Sequence, residues 1–275
     1  MYFGVKSYFV QLGNTCLSGK TNTYFLIQFT AYPLEKYSLF LLLALVSEVI
    51  GTVSGFGSSI LFVPLASVFF DFKVVLGITA VFHVFSNLSK IALFRKGINK
   101  DIAFKLGVPA VISVIIGAFL TTFLPTREIE LLMNAVVLAM ALYLLTHFNQ
   151  TLQQTNRNLV AGGVASGFLA GIAGTGGAIR GITLAAFSLP KDLFIATSAL
   201  IDLGVDFSRA IVYISYGYFE REFVFLIPFL IGISIVGTYI GKLLLQKTSE
   251  LLFRYIVLGV IVLTAAVQMY RYFAT

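Results

Sequence analysis

From Tyr37 onward the chain is a succession of ten apolar segments separated by short polar punctuation, at approximately 38 to 56, 58 to 70, 74 to 95, 101 to 124, 127 to 148, 158 to 174, 176 to 189, 193 to 216, 221 to 245 and 249 to 272. A helix needs about 20 residues to cross the hydrocarbon of a bilayer. Six of the segments are long enough to span. The segments 58 to 70 and 176 to 189 are too short and predict half-helices. Each pairs with its predecessor as a hairpin that dips into the membrane and returns to the same face.

Both short segments follow a glycine-rich break. The first reads Gly55-Phe56-Gly57-Ser58-Ser59-Ile60 and the second, 119 residues later, Gly174-Thr175-Gly176-Gly177-Ala178-Ile179. Hydrocarbon cannot satisfy freed N–H and C=O groups, so broken backbone at membrane depth persists only where protein covers it or water reaches it. Broken helices at matching places in two halves point to a binding site.

The halves match elsewhere at the same offset: Pro109 falls on Pro228, Thr79 on Ser198, Asn87 on Asp206 and Lys90 on Arg209, while Gly97 meets Gly217 after a one-residue slip. This is an internal repeat. It divides the chain into an interfacial or flexible arm at 1–36, a first repeat at 37–148, a linker at 149–157 around a polar run, and a second repeat at 158–275. Each repeat holds a hairpin plus three spans, an odd number of crossings, so the two are expected to run in opposite directions. The turn with Arg95, Lys96, Lys100 and Lys105 is strongly basic, unlike its counterpart with Glu220, Arg221 and Glu222. Lys242 and Lys247 flank the next turn of the second half, where the first half has the mixed Arg127, Glu128 and Glu130. The positive-inside tendency makes the two basic turns cytoplasmic and places both termini outside; Arg271 runs against this. The fold class is therefore an all-α polytopic membrane protein of two inverted repeats, each a broken-helix hairpin plus three transmembrane helices.

Composition agrees. Hydrophobic residues make up 58% of the chain, charged residues 11%, and the mean hydropathy is +0.94, far more apolar than a soluble domain. The net charge of +7 is scattered among the turns, so it reads as orienting charge and not as a nucleic-acid surface. Cys16 is the only cysteine, which excludes an internal disulfide and a Cys-based metal cluster. No cleavable signal-peptide pattern opens the chain, and the first span is expected to serve for targeting to the plasma membrane. Gly19-Lys20-Thr21 has Asn14 where a phosphate loop needs glycine, and it lacks a strand before it. With only His83 and His147, and no His-Glu-x-x-His or nucleophile elbow, no enzyme activity, metal or cofactor is expected.

The order of a glycine break, an apolar half-helix with Pro64, and spans ending near Gly97, followed by its repeat, resembles the sulfite exporter TauE/SafE family of membrane transporters. That family's signature looks like Gly-x-Gly-Gly-Gly, then apolar residues and a proline, once per half. Here Gly55-Phe56-Gly57-Ser58-Ser59 carries two serines in place of glycines, and after Gly174-Thr175-Gly176-Gly177-Ala178, Thr183 replaces the proline and Arg180 intrudes. The resemblance covers roughly residues 38 to 272. It implies the fold more firmly than the substrate, and suggests sulfite or organosulfonate anions.

Half-helices beginning at Gly57 to Ser59 and at Gly176 to Ala178 would aim unpaired N–H groups and the positive ends of their dipoles at the middle of the membrane, which attracts an anion. Gly57, Ser58, Ser59, Thr175, Gly176 and Gly177 are the expected substrate-binding residues, the glycines through close backbone approach and the hydroxyls as donors. The competing reading is that the small residues only permit tight helix crossing. Arg180, one turn into the second half-helix, is either a counter-charge for the substrate or half of an ion pair with Glu48, Asp202 or Asp206. Asp202, Asp206 and Arg209 fall at i, i+4 and i+7, and His83, Asn87 and Lys90 repeat that spacing, so a polar stripe lines each of two equivalent helices. Asp206 and Arg209 are also placed to pair with each other, and Arg209 and Lys90 to snorkel toward a surface. Glu48, His83, Asn87, Asp202 and Asp206 are candidates for polar lining or for carrying a coupling proton. The expected function is a secondary transporter, in the export direction, of a small anion bound at the midplane, with proton coupling open; the alternative is an anion channel on the same scaffold. The lipid bilayer is the expected environment, with no nucleic-acid partner and a homodimer as a further expectation.

Overall fold

The computed structural model describes residues 21–94, 97–129, 131–132, 135–136, 138–139, 153–187 and 189–247, and for 21–34 the backbone alone. The described elements are α1 (Thr21–Ser54), α2 (Ser59–Ala66), α3 (Phe72–Leu93), α4 (Lys100–Leu120), α5 (Asn156–Ala173), α6 (Gly177–Ala185), α7 (Lys191–Ser215), a 3-10 turn (Arg221–Phe223) and α8 (Leu226–Lys247). The chain divides into two units, 1–38 and 39–275; the second holds α2 to α8 together with α1 from Leu39 onward. No strand occurs among the described residues. The segment at 249 to 272 and most of 127 to 148 lie outside them.

Among the described residues four stretches are long and apolar enough to cross a membrane: Glu35–Ser54 within α1, and α3, α4 and α8. Helix α7 has the length, at 25 residues, but Asp202, Asp206 and Arg209 interrupt its apolarity. Helix α5 opens on Asn156-Arg157-Asn158, which lowers the hydropathy of an 18-residue element.

The two short helices expected from the sequence are present, with 8 residues in α2 and 9 in α6. Each is entered through a break that uses a left-handed glycine at matching positions, Gly55 at φ 71° and Gly174 at φ 72°, a conformation that residues with a Cβ rarely adopt. Pro64 sits inside α2 and withholds an intrahelical N–H, and the chain then turns through Ser67, whose Oγ donates to Pro64 O at 2.8 Å. Asp71 caps α3 by accepting from Lys73 N at 2.9 Å, and Asn99 and Thr155 cap α4 and α5 in the same way.

Packing is reciprocal between the halves. Helix α3 lies against α7, each half's third element on its mate; α4 packs on α7 as α8 packs on α3, and α2 touches α6. Helices α4 and α5 meet backbone to backbone, because a Cβ on Gly163, Gly167 or Gly171 would overlap carbonyls of Leu106, Ala110 and Val114. Such small-residue seams hold helices together where hydrocarbon offers no hydrophobic drive. In the first half, α1, α2 and α3 are joined by a ring cluster in which Phe62 stands 5.2 Å from Phe40 and 5.4 Å from Phe82.

Candidate functional site

The two breaks meet. A Cβ on Gly177 would overlap the carbonyl oxygen of Phe56, so the starts of α2 and α6 are in direct backbone contact. Neither start carries a side-chain cap: Ser58 and Gly176 occupy the N-cap positions without a side-chain bond to the first-turn amides. The first N–H groups of a helix have no intrahelical acceptor, so both starts present donors at one place.

A polar cavity of about 20 Å³ lies there, enough for one water. Gly57, Ser58 and Ser59 line it from the first break, Gly176, Gly177 and Arg180 from the second. The third elements supply His83, Ser86, Asn87 and Lys90 from α3, and Asp202, Asp206 and Arg209 from α7. Of the residues singled out in the sequence, Thr175 faces elsewhere, lining a separate cavity with Ile60 and Ile179. Glu48 stands behind the wall and reaches the cavity through Ser58.

Three acidic and three basic side chains of this cluster pair one to one. Glu48 takes Lys90 at 2.8 Å, Asp206 takes Arg209 at 2.8 Å, and Asp202 takes Arg180. Glu48 is fully buried, and its carboxylate also accepts from Ser86 Oγ at 2.7 Å, Ser58 Oγ at 2.9 Å, Thr238 Oγ1 at 3.0 Å and Thr52 Oγ1 at 3.3 Å. Asp206 accepts from Asn87 Nδ2 at 2.7 Å. Asp202 has only Arg180 among the described residues, and its side chain is 14% exposed, so it is the least tied of the three carboxylates.

Arg209 forms part of the cavity wall. Its Nη1 donates to the carbonyl oxygens of Gly174 at 3.0 Å and Ala170 at 3.4 Å, a cation at the negative end of the α5 dipole. Its Nη2 lies 3.3 Å from His83 Nδ1. A guanidinium only donates, so Nδ1 accepts and the proton of a neutral His83 sits on Nε2. That N–H points at Ser58 Oγ, 2.9 Å away, and Ser58 passes its own hydrogen to Glu48. A directed chain therefore runs Arg209, His83, Ser58, Glu48.

Arg180 is arranged differently. Its Nε donates to Ser198 Oγ at 2.9 Å and its Nη1 to Asp202, while Nη2 has no protein acceptor among the described residues. Nη2 is the atom nearest to where a Cβ on Gly57 would stand, at 3.6 Å, and lies 3.4 Å from the same point on Gly177. Nη2 thus lies beside the backbone of both breaks. The first half holds no equivalent: the position matching Arg180 is Leu61. Thr79, the match of Ser198, is the one buried side-chain oxygen without a partner among the described residues. The site is duplicated in backbone and unequal in charge.

A protein-family model for the sulfite exporter TauE/SafE family matches residues 39–268, most of the chain. The chain belongs to that family. As a TauE/SafE protein it is an integral membrane protein of a transporter family, and the all-helical architecture with its membrane-length helices is the one expected of it. No curated protein and no solved structure matches the chain. The matched region covers both glycine breaks and all of α2 to α8, and leaves the first 38 residues outside.

Sequence reasoning brought Gly57, Ser58, Ser59, Gly176, Gly177, Arg180, His83, Asn87, Asp202 and Asp206 to this cavity. It passed over Ser86, which bonds both Glu48 and Lys90, and Thr238 on α8. Ser86 lies one position before Asn87 on the polar face of α3, and that adjacency was the available signal. A hydroxyl within an apolar span such as Thr238 gives none.

Proposed function

We propose that this protein is a secondary transporter that exports a small anion, sulfite or an organosulfonate, from the cytoplasm across the plasma membrane, as a multi-pass protein built from two oppositely oriented repeats. The observation that carries this reading is the buried Arg180, whose Nη2 has no protein acceptor among the described residues and lies beside Gly57 and Gly177 at the cavity where two uncapped helix starts meet. Anions are favoured at helix N-termini by the dipole and the free N–H groups, and the name of the family supplies the sulfur oxyanion class.

A space of about 20 Å³ is smaller than such a guest, and Arg209 in its wall is tied to the backbone of α5, which favours a transporter that rearranges over an open channel. Binding then means widening the cavity, and Asp202 is the group to yield because Arg180 alone holds it. An anion there adds a negative charge to a cluster whose own charges cancel. An inside-negative potential drives a lone anion outward by about 2.3 kcal/mol per charge per 100 mV. A proton taken up by Asp202 would cancel both the excess charge and that drive. No catalytic step is proposed.

Thermal melting of the purified protein with sulfite, sulfate, thiosulfate, sulfoacetate and taurine tests the site: at least one sulfur oxyanion stabilises the wild type, and Arg180→Ala and Ser58→Ala lose that gain. Stabilisation by none of them, or equally in both variants, overturns the reading. Counterflow in proteoliposomes separates carrier from channel, since a channel passes current without exchange. A flux insensitive to imposed potential and driven by an imposed pH gradient identifies the accompanying proton, and Asp202→Asn then makes it potential-sensitive.

A further inference from the structure

We propose that the guest moves between the central cavity and the face of the protein bearing Gly97 and Lys191 along one side of α7, and that Phe194, resting on Gly55, is the gate. This rests on the transport reading above and specifies its route.

A second small cavity, of about 10 Å³, adjoins the first, sharing Gly57, Lys90 and Asp202 with it. It continues along α7. Asp206 and Asp202 line the first space, and Asp202, Ala199 and Ile195 the second, spacings of four, three and four residues that keep to one helical face. From Asp206 to Ile195 is about 16 Å at 1.5 Å per residue, and Ile195 lies within the first two turns of α7. The cavities thus lead from the cluster toward the N-terminal end of that helix.

An apolar plug closes this end. Phe94, Ile195 and Ala196 are buried together, with Leu93, Ile98, Phe194 and Leu245 packed against them. Hydrogen bonds pin its rim: Asn99 N donates to Thr197 Oγ1 at 3.0 Å, and Lys242 Nζ to Leu93 O at 2.6 Å. Within the plug, the contact of Phe194 is singular. A Cβ on Gly55 would stand 2.5 Å from Cε1 of its ring, so the ring lies directly on the backbone of the first break, beside the second cavity. The ring also packs against the cluster around Ile102 and Leu106, and both contacts hold by dispersion, so moving it breaks no hydrogen bond. Cations stand on both sides of it: Lys90 lines the cavities within, and Lys242 lies 5.3 Å above the ring centre of Phe94 at the rim. An anion crossing the plug passes from one positive charge to the other.

The opposite end is bound more firmly. Arg209 there spans Asp206, His83 and two carbonyls of α5; behind it Tyr213 donates to Gly171 O at 2.5 Å and stacks on Tyr218 with ring centres 5.4 Å apart. Opening that end breaks several hydrogen bonds, whereas rotating Phe194 breaks none.

The test uses Ala199→Cys in a Cys16→Ser background and a small anionic methanethiosulfonate applied from either side of sealed vesicles, with Lys100→Cys marking the Gly97 face. The expected result is modification of Ala199→Cys from the side that modifies Lys100→Cys, several-fold faster when Phe194→Ala is added. Phe194→Leu, which keeps an apolar side chain, gives an intermediate rate and serves where the alanine variant does not fold. Modification from the other side only, no modification from either, or rates unchanged by both Phe194 variants overturns the route. These rates need no substrate, so a failure of the anion-dependent melting shift with the labelling as expected removes the transport reading alone, and the converse removes only the gate.

Discussion

Asn87 Nδ2 donates to Asp206 Oδ2 at 2.7 Å across a sequence separation of 119 residues, the same offset that matches the two glycine breaks. The elements that carry the matching residues also lie together, α3 against α7 and α2 against α6. The duplicated breaks and polar stripes consequently converge on one cavity and do not form two separate sites.

That bond makes Asn87 one of the residues that hold the two halves against each other. A hydrogen bond to a charged acceptor contributes about 1.5–3 kcal/mol. Asn87→Ala is expected to lower the melting temperature of the detergent-solubilised protein by a corresponding margin. Asn87→Asp lowers it further, because it sets a second carboxylate against Asp206. An unchanged melting temperature in both variants would show that the two halves hold together without it.

Glu48 and Lys90 make the sharpest energetic case in the molecule. Removing one member of a buried ion pair costs about 3–5 kcal/mol, because the other charge is left stranded. Glu48→Ala strands the Lys90 ammonium and takes the shared acceptor from four hydroxyls at once. It is expected to give aggregated protein on size exclusion. Adding Lys90→Met removes the stranded charge and should recover a monodisperse peak. Failure of the double variant to recover would mean that the hydroxyl network, and not the charge, holds this corner.

Much of this was legible in the sequence because the signals were periodic or disruptive. A segment too short to span, a glycine break and an ionisable residue at i, i+4 and i+7 each stand out against an apolar background, and their recurrence at one offset predicts convergence. Arg180 with Asp202, and Asp206 with Arg209, were among the pairings open from spacing. Two things were not legible. The facing of Thr175 depends on the φ and ψ of a break, where helical periodicity does not apply. The inward turn of Lys90 and Arg209, both buried, depends on what packs over them; an isolated helix would let both snorkel. The seam of Gly163, Gly167 and Gly171 shows that small residues serve tight crossing in α5, while those at the breaks also line a cavity.

Gly174 and Gly217 separate the conformational role of glycine from its packing role. Both take left-handed φ, 72° and 76°, which costs a residue with a Cβ roughly 1–2 kcal/mol. A Cβ on Gly174 would in addition stand 2.5 Å from Leu76 Cδ2, whereas one on Gly217 meets nothing within 4 Å. Gly174→Ala should therefore be the more destabilising by about 1–3 kcal/mol, the usual cost of overpacking. Its displaced carbonyl also loses Arg209. Equal melting temperatures for the two alanine variants would remove the packing argument.

Arg180→Lys tests the guest-binding role without discarding the charge. The guanidinium does three things at once: Nε holds Ser198, Nη1 holds Asp202, and Nη2 is left facing the two breaks. A lysine has one nitrogen on a flexible stem and cannot reproduce that fork. The ammonium is expected to stay with Asp202, because a buried carboxylate left unpaired is the costlier outcome. The variant should thus fold, with melting close to wild type in the absence of anion, and lose the anion-dependent rise in melting temperature. A full anion-dependent rise in Arg180→Lys would show that a point charge suffices, and that the geometry of Nη2 between Gly57 and Gly177 is not what the guest reads.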